Sequence, residues 1–225
     1  MKRLYMPILA TLLLGGCTIR NDVCDLSVRE EAVSAAEAYI ENDPDFSILH
    51  DFWKADLTYC IDEFIPAYNA LGLSFEDDTE AVWQSRCAPN IPAEYTVDPA
   101  SFRQSDNTAS IHVRVTLPDV CMLDLPEVYD EISQIYLYDL NTWEQRTGLF
   151  TDDVPPERLE EFYQYSYSGT AKALLPLLEK QCSSVPMRTE IVTLSLVYNN
   201  DTWTVTGITS PWLEHLSAVL ETYTK

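Results

Sequence analysis

Across 225 residues the chain carries 36 acidic and 14 basic side chains, for a formal net charge of −22. Proteins bind nucleic acid by neutralising phosphates with lysine and arginine, so this balance excludes nucleic acid as a partner and steers a basic one inward. Hydrophobic residues make up 46% of the chain and aromatic residues 11%, too much for disorder and enough for one sizeable domain.

Met1-Lys2-Arg3 precedes an apolar run from Leu4 to Leu14, broken by Pro7 and Thr11. A positive start followed by a short apolar stretch has the form of a secretory signal. The run is shorter than the roughly 20 residues that span a bilayer. It ends in Leu14-Gly15-Gly16-Cys17, which resembles the lipobox of bacterial lipoproteins. The resemblance implies cleavage before Cys17 and acylation of its sulfur. Residues 1–16 are then a signal peptide, 17–26 a short anchor segment, and 27–225 a single domain. At about 0.8 kcal/mol per buried methylene, the acyl chains make the membrane a permanent partner through the anchor. Thr18, where inner-membrane retention favours Asp, implies the outer membrane in a Gram-negative host.

With Cys17 lipidated, Cys24, Cys60, Cys87, Cys121 and Cys182 stand in an oxidising compartment as disulfide candidates. Their number is odd, so at least one thiol is left over, and spacing leaves the pairing open.

Along the chain, Ser27-Val28-Arg29-Glu30 reads as a capping box, followed by a helical stripe through Ala32, Ala36 and Ile40 that Asn42-Asp43-Pro44 ends. A second helix is predicted over 55–71, interrupted at Pro66 and closed by Gly72, and a shorter one over 77–86. Residues 88–108, with Pro89, Pro92 and Pro99, read as an irregular connection. Strict alternation of apolar and polar residues from Ala109 to Leu117 predicts a half-buried strand. Helices follow around 127–140, from Pro155-Pro156 into Tyr163, and after a break near Gly169 to about Gln181, with Pro176 inside the last. Two β-rich runs flank Asn199-Asn200-Asp201, a hairpin signal, and a short amphipathic helix from Pro211 ends the chain.

Helices first, a strand running into Pro118-Asp119, further helices, then a hairpin carrying Tyr198, Asp201, Trp203 and Val205 before a last helix: from about Thr108 to Leu220 this order resembles bacterial lipoproteins with a cystatin-like, nuclear-transport-factor-like domain. The resemblance implies an α+β fold in which N-terminal helices pack on a bent antiparallel sheet that forms a cone. It carries little about activity, since such folds host many functions.

The motifs for chemistry are sparse. Past the signal, Gly72, Gly148, Gly169 and Gly207 are too scattered for a phosphate-cradling loop or a G-x-S-x-G elbow. No C-x-x-C is present, and His50, His112 and His215 fall on three different elements, so neither a metal nor another cofactor is predicted. Asp43-x-Asp45-x-Ser47 begins like a calcium loop, but Ile48 and Lys54 occupy the positions of the turn glycine and the closing glutamate. Asp77-Asp78, Asp152-Asp153 and Glu160-Glu161 read as helix-start charges, and Tyr163, Tyr165 and Tyr167 as packing. The pair with a ligand-binding pattern is His112 and Arg114, which share the polar face of the predicted strand. If that face lined the cone, they would offer an anionic ligand a permanent cation and a tunable donor.

These features point to a lipid-anchored extracytoplasmic protein that binds a basic protein or a small ligand and catalyses nothing. The alternatives are an envelope hydrolase or isomerase using His112, and a structural subunit of an envelope complex.

Overall fold

The computed structural model describes residues 22–42 and 44–223, with side chains from Leu26 onward. Cys17 and the lipobox lie outside the described residues, as do Asp43 and the side chain of Cys24. The fold is α+β, a four-stranded antiparallel sheet of order β1-β2-β3-β4 packed with helices. No described helix is long and apolar enough to cross a membrane.

Helix α1 (Asp22–Asn42) begins ahead of Ser27, so the capping-box residues lie inside the helix and its start falls within the segment expected as an anchor. Its inward stripe is Ala32, Ala36 and Ile40, each at most 2% exposed. Two alanines let the helix axis approach the sheet closely, and α1 touches both edge strands, β1 (Glu94–Ser105) and β4 (Thr202–Thr209). Three strand spacings of about 4.8 Å separate those edges. A single helix reaches both by lying across the inner face of a sheet that curls over it. Two irregularities in register supply bends, one between Asp98 and Arg103 and one at Ser195/Leu196.

The central strands carry the core. In β2 (Thr108–Pro118), Ile111, Val113, Val115 and Leu117 are fully buried, and in β3 (Met187–Asn199) Val192, Leu194 and Leu196 face them. The β3–β4 hairpin turns at Asn200 and Asp201, both with positive φ (52° and 62°), as the Asn-Asn-Asp run predicts. Tyr198 and Trp203 pair across it with ring centroids 5.2 Å apart.

The predicted second helix resolves into α2 (Ser47–Ile61), a 3-10 turn (Asp62–Phe64) and α3 (Ile65–Ala70). Pro66 sits in the first turn of α3, where its missing N–H costs nothing. Ser74 Oγ accepts the Asp77 amide at the start of α4 (Phe75–Arg86), and Asp124 accepts the Glu127 amide at the start of α5 (Leu125–Thr147). The expected break near Gly169 falls two residues earlier, at Tyr167, so Gly169 itself does not make it. That residue lies near the start of α7 (Ser168–Ser184), which follows α6 (Leu159–Ser166) at once. The glycine is needed for close approach instead: a Cβ there would stand 2.4 Å from Asp139 Oδ2 and 2.9 Å from Ile135 Cγ2 of α5. The terminal helix α8 (Pro211–Tyr223) packs on α2 through Trp212, Leu213 and Leu216.

The largest correction to the sequence reading concerns residues 88–108. Most of this segment is the edge strand β1, paired with β2 from Glu94↔Thr116 to Ser105↔Thr108. Proline has no amide to donate, so a strand can hold one only at an edge or a bulge. Pro99 occupies both at once. The interruption that made the segment look irregular is local: Asp98 Oδ1 accepts the Ala100 amide and Ser101 Oγ donates to the Asp98 carbonyl, folding four residues out of the ladder.

Phenols do much of the cross-bracing that cations do elsewhere. Tyr95 donates to Glu41, Tyr129 to Glu63, Tyr68 to Asp78 and Tyr223 to Asp56, each at 2.6–2.8 Å. These join α1 to β1, the 3-10 turn to α5, α3 to α4, and α2 to α8. With 36 carboxylates and only 14 cations, neutral donors let acidic groups be tied down without charge pairs.

Candidate ligand-binding groove

His112 and Arg114 are exposed and alternate with buried Ile111, Val113 and Val115. They therefore stand on the outer face of the sheet. The cone interior that was the condition for their role as pocket residues is occupied by α1 and the apolar core. Thr96 of β1 and Ile191 of β3 are the register partners of Arg114, and Asp98 and Thr193 those of His112.

The bulge of β1 rises over this face and gives it relief. Ser101 Oγ accepts the His112 amide at 2.7 Å, which fixes the bulge to β2 at that residue. On one side of Pro99 a hollow of about 270 Å³ is lined by Thr96, Asp98, His112, Arg114 and Ile191. On the other side a larger hollow of about 470 Å³ lies against the first turns of α1, lined by Leu26, Arg29, Phe102, Arg103 and Gln104. Pro99 belongs to both walls, so the two hollows adjoin. Arg103 Nη1 donates to the carbonyls of Ala100 and Phe102, at 3.0 and 2.7 Å. That holds the guanidinium over the bulge.

Charge distinguishes this region from the rest of the surface. Lys54, Arg86, Arg158, Lys180 and Arg188 each have a carboxylate within salt-bridge distance. Among the described residues, Arg29, Arg103 and Arg114 have none, and away from this region neither do Lys172 and Arg146, whose guanidinium lies over the Tyr165 ring. Arg29 and Arg103 line one hollow and Arg114 the other, and the single carboxylate in either lining, Asp98, already accepts the Ala100 amide. Charges beyond about 8–10 Å are screened at physiological salt, so a local cluster of cations governs what an anion meets at short range even on an acidic protein.

A second constellation joins α2, α4 and α7. His50 Nε2 lies 2.6 Å from Glu80 Oε2, and its ring packs against Trp53 and Trp83. The hydrogen bond from Gln84, followed by those of His50 and the charge of Lys54, holds the Glu80 carboxyl below its ordinary range despite partial burial. At the junction of α4 and α7 sit the buried thiols Cys87 and Cys182, close enough to influence one another's titration. Cys60, half-buried at the end of α2, and Cys121, exposed after β2, are thiols at other places.

The three histidines remain apart, on α2, β2 and α8, and no cluster of three or more metal-ligating side chains occurs among the described residues. Asp45 Oδ1 is taken by the amide and hydroxyl of Ser47. Of the tyrosine run, Tyr163 and Tyr167 pack with Phe162, and Tyr165 against Trp143 beneath Arg146. Sequence reasoning placed His112 and Arg114 together on one face but missed Arg29 and Arg103. Only the β1 bulge brings those two together, and no spacing signals it. No protein-family model matches the chain, and neither a curated protein nor a solved structure was found to be significantly similar to it.

Proposed function

We propose that this protein is a lipid-anchored extracytoplasmic binding protein that takes a small anionic ligand, bearing carboxylate or phosphate groups, in the groove around Pro99. The observation that carries the reading is that three of the four described arginines without a carboxylate within salt-bridge distance, Arg29, Arg103 and Arg114, line the two hollows beside Pro99. Guanidinium forks suit such ligands because two parallel N–H groups meet two oxygens. His112 adds a ring N–H donor beside Arg114. The anchor rests on Leu14-Gly15-Gly16-Cys17 after a positively charged, apolar start.

The test is titration with inorganic phosphate and with citrate, followed by calorimetry and by amide shifts at Ser101, Arg103, His112 and Arg114. Binding of either that weakens at least about tenfold in Arg103→Gln and Arg114→Gln, at unchanged thermal midpoint, supports the reading. Saturating anion that leaves those amides unmoved overturns it. The net charge of −22 favours a second reading, capture of a basic protein by the acidic surface. Its signature is association that slows steeply with salt and is indifferent to the arginine substitutions. An envelope enzyme would instead lose turnover in His112→Ala.

A further inference from the structure

Helices α4 and α7 lie side by side, clamped at one point by Arg86 Nη2 and Glu179 Oε2 at 3.0 Å. The residue after Arg86 is Cys87, and a helical turn beyond Glu179 is Cys182. The ion pair and the two thiols therefore mark the same junction, the ion pair on its wet side and the thiols on its dry side. Cys87 is 0% and Cys182 3% exposed, and each thiol shifts the titration of the other, as close neighbours do. Trp53 closes the junction from α2, its buried indole N–H on the side of Cys182. Among the cysteines whose side chains are described, these two alone perturb one another.

We propose that Cys87 and Cys182 are a dithiol–disulfide pair whose oxidised form staples the end of α4 to α7. The inference is independent of the anion groove. The chain between the two cysteines holds β1, β2, α5 and α6, so the bond closes a loop around much of the fold. Cross-links that close long loops remove the most freedom from the unfolded chain. The oxidant is a disulfide-bearing carrier. One cysteine thiolate attacks a carrier sulfur, forming a mixed disulfide and expelling one carrier thiolate. The second cysteine thiolate then attacks the protein sulfur of that mixed disulfide, expelling the other carrier thiolate. Two electrons and two protons pass to the carrier, which leaves as a dithiol, and the protein gains one S–S bond. Because both sulfurs are buried, exchange belongs to the folding chain, before α4 and α7 close, and the finished bond is shielded from reductant.

The experiment refolds the reduced full chain with oxidised glutathione, blocks remaining thiols with iodoacetamide, and maps the digest by mass spectrometry. The expected product is one cross-linked peptide pair containing Cys87 and Cys182, lighter by two hydrogens than the dithiol. Its thermal midpoint should exceed that of the reduced protein by roughly 10 °C, the shift a loop of about a hundred residues implies for a domain of this size. Cys60→Ala/Cys121→Ala should retain the whole difference, and Cys87→Ala/Cys182→Ala should abolish it. Full alkylation of both cysteines after oxidative refolding, or their pairing with Cys24, Cys60 or Cys121, overturns the proposal. The map needs only the unsubstituted protein, so a variant that fails to fold does not obscure the result.

Discussion

The two faces of the β2–β3 ladder differ by a single residue of phase and by nearly everything else. Inward, Ile111, Val113, Val115, Val192, Leu194 and Leu196 are at most 1% exposed. Outward, on the same strands, stand Ser110, His112, Arg114, Thr116, Thr189, Ile191, Thr193 and Ser195. The inner face is stabilised by burial, which is non-directional and contributes about 1.5–3 kcal/mol for each large side chain. The outer face keeps β-branched threonines that suit a strand without making the surface adhesive. Its relief comes from the β1 bulge. Packing is confined to the inner face, and the proposed anion groove lies along the outer face and the bulged edge, so either can be changed with limited cost to the other.

Four changes sharpen that division, from the largest expected effect to the smallest. Leu194→Ala removes a wholly buried side chain and should cost about 2–5 kcal/mol in denaturant unfolding. Gly169→Ala asks whether the helical layer is as closely packed as the inner face. Asp139 can swing aside, but the β-branched Ile135 beside it cannot, so a loss of about 1–2 kcal/mol is expected even though alanine is the better helix former. Tyr223→Phe, which leaves Asp56 without its donor, should cost about 1 kcal/mol. At the outer face, Ile191→Ala should change stability by less than about 0.5 kcal/mol while altering ligand affinity in the groove. A cost there as large as that of Leu194→Ala would erase the distinction between the faces.

The tyrosine braces add a dependence on pH. Burial first, and then the neighbouring carboxylate, push the Tyr68 and Tyr223 phenols up from their ordinary 10.0. A pKa raised by folding contributes stability that is complete below the unfolded value and is lost as pH rises through the folded one. Urea midpoints should therefore hold up to pH 10.0 and fall beyond it, and the fall should be shallower in Tyr68→Phe/Tyr223→Phe. Equal slopes in both proteins would assign the alkaline loss to other groups.

Much of this architecture could be read from local pattern. The alternation at 109–117, the Asn-Asn-Asp turn and the helical stripes at 32–40 and 211–223 each reflect a period that one element imposes on its own residues. The same alternation put His112 and Arg114 on one face. The β1 strand could not be read, because its pairing is with residues elsewhere and its own pattern is broken by Pro99 and the turn around Asp98. The break between α6 and α7 could be read near Gly169, but not the glycine's own role, because a glycine chosen for a neighbour's proximity is indistinguishable, in one dimension, from a glycine chosen for flexibility.

The sequence by itself determined the fold class, the acidic surface and the phase of the central strands, since these depend on composition and on periods within single segments. Only the tertiary structure decided which face of β2 met solvent, that Arg29 and Arg103 joined Arg114 around one bulge, and that Cys87 met Cys182. Those are contacts between residues far apart along the chain. They follow from how helices and sheet close on one another, a choice that burial energy makes for the whole molecule at once.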